Sequence, residues 1–226
     1  MEKLNFKKLD NVSLTDADKK RLLSLCTEDD IDDLNDMIRS AEQIARPVYV
    51  WKMCPVSAGD GKVDIDGMAF DNPLVVKKLS PLYRCFPCVQ SCGPELESWS
   101  RAYASDPLAQ YWAEEIKRAF LGAASRDFTQ LLRGFMGPDS HIAALNPGSL
   151  AEWPLTGQTD LFALLGRDEV KELAGVTLTP SLLMLPAKTV SGIWFESGEP
   201  YQNCMYCPRK NCPGRRAEYR ENEKAV

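Results

Sequence analysis

Cysteine is the residue whose type and spacing most clearly suggest chemistry in this chain. Six of its eight cysteines form two clusters, CFPCVQSC at 85–92 and CMYCPRKNC at 204–212. A gap of two residues lets neighbouring thiolates bind one zinc ion or an iron–sulfur cluster. Each cluster supplies three thiolates where a closed site needs four. The candidates for the fourth ligand are Cys26, Cys54, a thiolate of the other cluster and an outside group.

The two clusters differ in their surroundings. Residues 85–92 have the pattern of a buried strand, and buried cysteine packs as a small apolar side chain, so we expect core packing there. The segment 204–212 is rich in Pro, Arg and Asn, and thiols placed there have no core to fill. We therefore predict that Cys204, Cys207 and Cys212 bind a metal, as an iron–sulfur cluster or as zinc.

Composition excludes several classes of protein. The 226 residues include 27 Lys and Arg against 32 Asp and Glu, a net charge of −5 that disfavours nucleic-acid binding. The apolar runs are too short to span a bilayer, and the first residues contain no apolar signal core. We expect a cytoplasmic protein with no membrane partner. The single histidine, His141, excludes a multi-histidine metal site; we expect it in a loop and leave a ligand role open.

The pattern of apolar residues predicts where helices and strands must position these groups. Helices are expected at 13–26, 28–45 and from Asp106-Pro107 to about Phe135. Three β-like runs precede the long helix, at 48–56, 62–70 and 82–92, and Pro87 favours an edge position for the third. The composition of residues 137–155 predicts a loop, and further strands are predicted up to residue 195. Helices, strands, helices and strands in this order are typical of an α+β fold.

We expect this fold to divide into three parts. Residues 1–46 form an N-terminal helical segment, residues 47–199 an α+β core, and residues 200–226 a Cys-rich polar tail.

Three segments contain residue patterns that the overall composition of the chain does not by itself require. They are SCGPELESW at 91–99, NPGSLAEWPLTGQTDLFALLG at 146–166 and LTPSLLMLPAKTVSGIWF at 178–195. The first places a glycine between a strand and an acidic helix start, and the second opens on a Pro-Gly turn. In the third, the turn at 188–192 would place backbone amides and the Ser191 hydroxyl beside a bound group.

Together these segments resemble the activation domain of cobalamin-dependent methionine synthase, especially its free-standing homologues in anaerobic bacteria. The family motif M-x-P-x-x-S-V-S-G stands here as MLPAKTVSG at 184–192, and its Pro-Gly-Tyr loop as Pro147-Gly148-Ser149. Its TxGxE-like strand end stands as SCGPE at 91–95. The C-x2-C-x4-C-P ending looks like the tail of the free-standing homologues. The resemblance covers about residues 48 to 216.

The resemblance implies an activation-domain-like α+β fold with a mixed or antiparallel sheet and a long central helix. It implies an accessory protein for reductive reactivation, which docks on a corrinoid methyltransferase or on the methionine synthase core that carries the cobalamin. Any enzymatic role would be part of that methyltransferase system. The implied cofactor-facing residues are Pro147, Gly148, Ser149, Lys188, Thr189, Ser191, Gly192 and Tyr201.

Two departures from the family concern S-adenosylmethionine. The family has an arginine a few residues before its Pro-Gly-Tyr loop, and this arginine holds the methionine carboxylate. Here residues 141–146 contain no arginine, and the loop tyrosine is replaced by Ser149. Because a carboxylate loses its bidentate partner without the guanidinium, we predict weak or no binding of S-adenosylmethionine.

Two other functions fit the same residues: an iron–sulfur electron carrier on this scaffold, or a zinc-stabilised interaction protein without a redox role. Residues 147–149 and 188–192 also fit an ordinary turn and a tight strand crossing. Four further residues are expected to be structural: Glu95 in a helix start, Trp153 and Trp194 in packing, and Tyr201 at the surface. The corrinoid interpretation requires the corners at 147 and 190 to meet across a shared concavity wide enough for the rim of a tetrapyrrole.

Overall fold

An eight-stranded antiparallel sheet organises the protein in a computed structural model that describes residues 3–209, 211–212 and 215–220. Its strands are β1 (Asn5–Lys8), β2 (Val48–Trp51), β3 (Cys54–Gly59), β4 (Lys62–Ile65), β5 (Met68–Phe70), β6 (Arg84–Ser91), β7 (His141–Leu145) and β10 (Thr189–Ser197). A separate two-stranded ribbon consists of β8 (Thr177–Leu178) and β9 (Met184–Leu185).

Seven α-helices lie within the described residues. They are α1 (Asp16–Leu23), α2 (Ile31–Ile44), α3 (Pro73–Leu79), α4 (Pro94–Ser100), α5 (Pro107–Met136), α6 (Gln158–Leu165) and α7 (Arg167–Ala174). The 30-residue helix α5 begins where the sequence predicts, because the Asp106 carboxylate accepts hydrogen bonds from the amides of Leu108 and Ala109.

Strand β6 is the centre of the sheet. It pairs with β2 and β3 along one side and with β10 along the other, and β10 in turn pairs with β7. Strands β3 and β4 form the predicted hairpin, turning at Asp60-Gly61, where both residues have positive φ as a tight two-residue turn requires. The α+β class, antiparallel sheet and long helix agree with the prediction.

The edge position predicted for Pro87 is wrong, because Pro87 lies in the central strand β6. Its carbonyl accepts a hydrogen bond from the amide of Lys52, just after β2 ends at Trp51. In an antiparallel pair the nitrogen and the carbonyl of one residue face the same neighbour. The position of the missing Pro87 N–H therefore faces the short gap between the end of β2 and the start of β3. Its absence there costs the sheet few main-chain hydrogen bonds.

Helices cover both faces of the sheet. The C-terminal half of α5 packs its Phe128 and Leu132 against Tyr49, Phe86 and other residues of one face. Helices α6 and α7 cover the opposite face, which carries Val50, Val89 and Ile193. Helices α1, α2 and α4 pack around the N-terminal half of α5. The sheet end that follows Ser91 is thus held between α4, α5 and α6.

Two short strands differ from the sequence prediction. Strand β1 lies within the N-terminal segment predicted as helical, and it pairs with β2. Strand β7 lies within 137–155, predicted as loop, and carries His141 opposite Ser197. Both are edge strands. Their sequences alternate too little between apolar and polar residues to predict a strand, and main-chain pairing with a distant partner stabilises them instead. Within the described residues, no helix combines the length and apolar character that crossing a membrane needs.

Candidate functional site

The three segments singled out in the sequence meet at one end of the sheet. Thr189 of β10 lies opposite Ser91 of β6, and their hydroxyl oxygens are 3.0 Å apart. The amide of Cys92 donates to the carbonyl of Lys188 at 3.0 Å. On the other side of β10, the Asn146 side-chain amide donates to the Ser191 carbonyl at 2.8 Å. We call this region the sheet-end cluster: residues 91–95, 146–149 and 188–192.

The segment 91–95 depends on its glycine. Gly93 has a φ of +95°, and a Cβ atom there would lie 2.5 Å from the Arg46 carbonyl oxygen, so another residue type would clash. The following Glu95 lies in the first turn of α4 and forms an ion pair with Lys8 of β1 at 2.5 Å. Its ion pair and its position in the helix start support the structural role expected for Glu95.

Ser191 and Gly192 lie inside the protein. The Ser191 hydroxyl donates to the buried Gln158 side-chain carbonyl at 2.8 Å, and Ser191 is 2% exposed. A Cβ atom on Gly192 would lie 2.3 Å from the Leu145 carbonyl oxygen, which leaves room for glycine alone. Ser191 therefore joins β10 to α6, and Gly192 allows β10 to pack closely against β7. This arrangement is the tight strand crossing that the sequence also allowed.

A chain of buried polar side chains continues from this crossing into the tail. The Asn203 side-chain amide donates to the Asn146 side-chain carbonyl at 2.9 Å, and the Tyr201 hydroxyl donates to Asn203 at 3.0 Å. The surface position expected for Tyr201 is wrong: Tyr201 is 4% exposed, and burial raises the pKa of its hydroxyl. Tyr201 stacks on Tyr206 and contacts Phe195, so the tail is anchored on the sheet.

The loop at 147–149 presents small groups to solvent. Pro147 is buried, whereas Gly148 and Ser149 are exposed. The Gly148 amide donates to the Trp153 carbonyl at 2.8 Å, and the Trp153 side chain is buried as the packing prediction expects. Gly148 has a φ of +80°, which fixes the sharp corner. The exposed corner thus consists of backbone and one hydroxymethyl group on a rigid support.

An ionic network lies beside the start of β10. The turn predicted at 188–192 is wrong, because residues 189–192 belong to this strand and pair with β6. Lys188 pairs with Glu114 of α5 at 2.7 Å, and Glu114 also pairs with the 2%-exposed Lys117 at 2.5 Å. Lys117 additionally pairs with Glu97 at 3.0 Å. Burial acts to lower the pKa of Lys117, but the hydrogen bonds to both carboxylates outweigh it and raise that pKa. Lys188 is therefore held toward α5, with Thr189 half-buried beside it.

The cysteines of 85–92 cannot share one metal ion. Cys85 and Cys88 are three residues apart on a strand, so they face opposite sides of the sheet, and each packs in a different apolar cluster. Cys92 packs in a third cluster. Burial raises the pKa of all three thiols, that of Cys92 to about 12, so they stay protonated at neutral pH. The predicted core packing agrees with this arrangement.

The tail cysteines are half-exposed and lie around an arginine. The Arg215 guanidinium donates to the carbonyls of Cys204, Cys207 and Arg209 at 2.7, 3.0 and 2.6 Å. Among the residues that the structure describes, no group of three His, Cys, Asp or Glu side chains is arranged to hold a metal ion. Metal binding by Cys204, Cys207 and Cys212 therefore stays a prediction. His141 is exposed on the edge strand β7.

Sequence reasoning missed the residues that hold the site together. Asn146, Asn203 and Lys117 are buried and hydrogen-bonded, yet none of them was singled out as a functional candidate. The one usable signal was position, because Asn146 directly precedes the Pro147 corner. The partners of Asn203 and Lys117 are distant in sequence, so local patterns could not reveal them.

Comparison with known proteins identifies a solved structure with a similar fold. No protein-family model and no curated protein matches the chain. Among solved structures, the chain is similar to the crystal structure of the MetH reactivation domain bound to AdoHcy, with a TM-score of 0.63 and 17% sequence identity. The likeness covers 89% of this chain and 82% of that one, and it establishes the fold. The activation-domain-like fold predicted from the three segments is confirmed.

Proposed function

We propose that this protein is an accessory factor for reductive reactivation of a corrinoid methyltransferase, and that the sheet-end cluster docks on the corrinoid protein. The observation that carries the proposal is the fold shared with the MetH reactivation domain over 89% of the chain. It is supported by the Asn146–Ser191 hydrogen bond, which joins the residue before Pro147 to the residue after Val190 at one end of the sheet. The cobalamin belongs to the partner protein.

The sheet-end cluster suits docking better than acid–base chemistry. Gly148 and Ser149 expose backbone and a small hydroxyl, so their own side chains do not block the approach of a broad planar group. Behind them, Asn146, Ser191 and Gln158 form a buried hydrogen-bonded support that fixes the corner. A pre-formed surface loses little conformational entropy on association, which favours binding. Positioning and access are therefore the contributions of this chain, and the partner's cofactor supplies the redox chemistry.

The residues at the corner do not fit the carboxylate of S-adenosylmethionine. Residues 143–145 before the corner are Ala, Ala and Leu, and the Asn146 amide is already bonded to Ser191. The nearby Lys188 ammonium is held by Glu114. We therefore infer that S-adenosylmethionine binds weakly, if at all, and that it is not needed to form the docking surface.

The test is a reactivation assay with purified components. A corrinoid methyltransferase with its cobalt oxidised is mixed with a chemical reductant, a methyl donor and this protein, and recovery of the methylated corrinoid is followed by absorbance. We expect the protein to accelerate recovery. Ser149→Trp should slow it at least about tenfold, equivalent to about 1.4 kcal/mol of lost docking energy. Ser57→Trp is the matched control, because Ser57 is exposed on the hairpin that extends from the opposite end of β6.

Two results would contradict the proposal. One is recovery at the same rate with and without the protein for each corrinoid methyltransferase tested from the source cell. The other is Ser149→Trp as active as Ser57→Trp, which would remove the corner from the docking surface. Circular dichroism of both variants separates loss of docking from loss of the fold.

A further inference from the structure

A basic groove runs along the exposed face of α5 and shares one residue, Val190, with the sheet-end cluster. Its volume is about 810 Å³, within the range of small-molecule sites. Four of its lining residues are arginines: Arg118, Arg126, Arg133 and Arg216. Its floor includes Leu121, Gly122 and Val190, and no Asp or Glu is among the described residues that line it.

The helix geometry aligns three of these arginines. At 100° per residue, Arg118, Arg126 and Arg133 fall within about 80° of one another around α5, and they span about 22 Å along its axis. Gly122 lies between Arg118 and Arg126 on this stripe, and the Arg126 guanidinium lies over it, 3.3 Å from the position that a Cβ atom would take. The fourth guanidinium reaches the groove from the tail, through Arg216.

The charges in the groove are only partly neutralised. Arg118 pairs with Glu115 at 3.1 Å and Arg126 pairs with Asp18 at 2.7 Å. In the part of the chain that the structure describes, Arg133 and Arg216 have no ion-pair partner, and both are exposed. The chain as a whole carries a net charge of −5, so this concentration of positive charge contrasts with the rest of the molecule. Such a concentration attracts anions.

We propose that this groove binds a small molecule carrying a polyphosphate chain. Guanidinium groups match phosphate oxygens with two parallel hydrogen bonds, which lysine cannot do. The apolar floor at Leu121 and Val190 offers contact area for a flat group attached to that chain. A sulfonium ligand such as S-adenosylmethionine is repelled by the same charges. This proposal does not depend on the proposed function.

The test is calorimetric titration of the full-length protein with tripolyphosphate and, separately, with ATP, both without divalent metal. We expect saturable binding that weakens with added salt. The double variant Arg133→Gln/Arg216→Gln should weaken it at least about tenfold, since each arginine removed costs charge-assisted hydrogen bonds. Arg167→Gln is the matched control, because Arg167 is an exposed arginine at the start of α7 on the other face of the sheet.

The two ligands distinguish the source of the phosphates. Binding of ATP at least about tenfold tighter than tripolyphosphate would identify a nucleotide that uses the apolar floor, and equal binding would identify the polyphosphate chain alone. The proposal is overturned if neither ligand binds, or if binding is unchanged in the double variant. Binding of a poly-glutamate peptide but of neither phosphate would instead identify an acidic protein surface as the occupant.

Discussion

The side-chain amide of Asn146 donates a hydrogen bond to the main-chain carbonyl of Ser191, and this contact joins the residue before Pro147 to the residue after Val190, the two positions on which the corrinoid interpretation depends. The Asn146 side-chain carbonyl in turn accepts from Asn203 of the tail. One buried amide therefore connects strand β7, strand β10 and the segment that leads into the tail cysteines. A change at this point is expected to affect all three.

Gly192→Ala should destabilise the fold by about 3 kcal/mol, because the new methyl group would lie 2.3 Å from the Leu145 carbonyl and 2.5 Å from the Asn146 amide. The matched control is Gly59→Ala, where no atom lies within 4 Å of the added methyl group. Urea denaturation measures both free energies of unfolding. Equal stability of the two variants would contradict the close packing of β10 against β7.

The network at Glu114 predicts a pH dependence of stability. Burial acts to raise the pKa of Glu114, but hydrogen bonds from Lys117 and Lys188 outweigh it and hold the pKa below its ordinary value of 4.5. A carboxyl group with a lowered pKa stabilises the folded state above pH 4.5, and this stabilisation is lost as the pH falls through the folded pKa. Acidification should therefore weaken the link between Lys188, which precedes β10, and α5.

Glu114→Gln tests this dependence. At pH 7 we expect a loss of about 1 kcal/mol, a modest figure because Glu114 is about one-third exposed and solvent screens its ion pairs. At a pH below the folded pKa of Glu114 the difference from the unsubstituted protein should nearly vanish, since both side chains are then uncharged. Glu172→Gln, an exposed glutamate of α7, should change nothing at either pH. A Glu114→Gln effect that is independent of pH would show that charge is not its cause.

Thiol reactivity should separate the two cysteine clusters. Cys85, Cys88 and Cys92 are completely buried, and the pKa of Cys92 is raised to about 12, whereas Cys204, Cys207 and Cys212 are half-exposed. Because only an accessible thiolate attacks, we expect iodoacetamide to modify the tail cysteines of metal-free protein at least about 100-fold faster than the buried ones at pH 8. Peptide mass spectrometry over time gives the rates. In urea the difference should disappear, and equal rates in the folded protein would contradict the burial.

Metal content tests the prediction for the tail. Protein purified without oxygen should contain either zinc or iron with sulfide, and Cys207→Ser should lose it while the core keeps its stability. Cys92→Ala serves as the control, because Cys92 lies in the apolar cluster around α5 and should leave the metal content unchanged. Metal-free wild-type protein, or full metal content in Cys207→Ser, would exclude the tail site. Iron with sulfide would favour the electron-carrier alternative, and zinc the interaction protein.

Local sequence was sufficient for the elements that depend on neighbouring residues. The start of α5 follows from Asp106 and Pro107, and the hairpin at Asp60-Gly61 follows from turn residues between two β-like runs. The motif segments at 91–95, 147–149 and 184–192 by themselves also indicate the correct fold. Caps, turns and periodicity act within a few residues, so the order of residues along the chain is enough to reveal them.

Tertiary structure alone decided which of these groups meet and which are buried. The sequence placed Cys85 and Cys88 in one motif, but the strand directs them to opposite faces of the sheet. Pro87 lies in the central strand because β2 and β3 both pair with the same side of β6, one after the other. Tyr201 is buried because the tail folds back onto β7 and β10. Each outcome depends on pairing between residues far apart in the chain, where packing outweighs local preference.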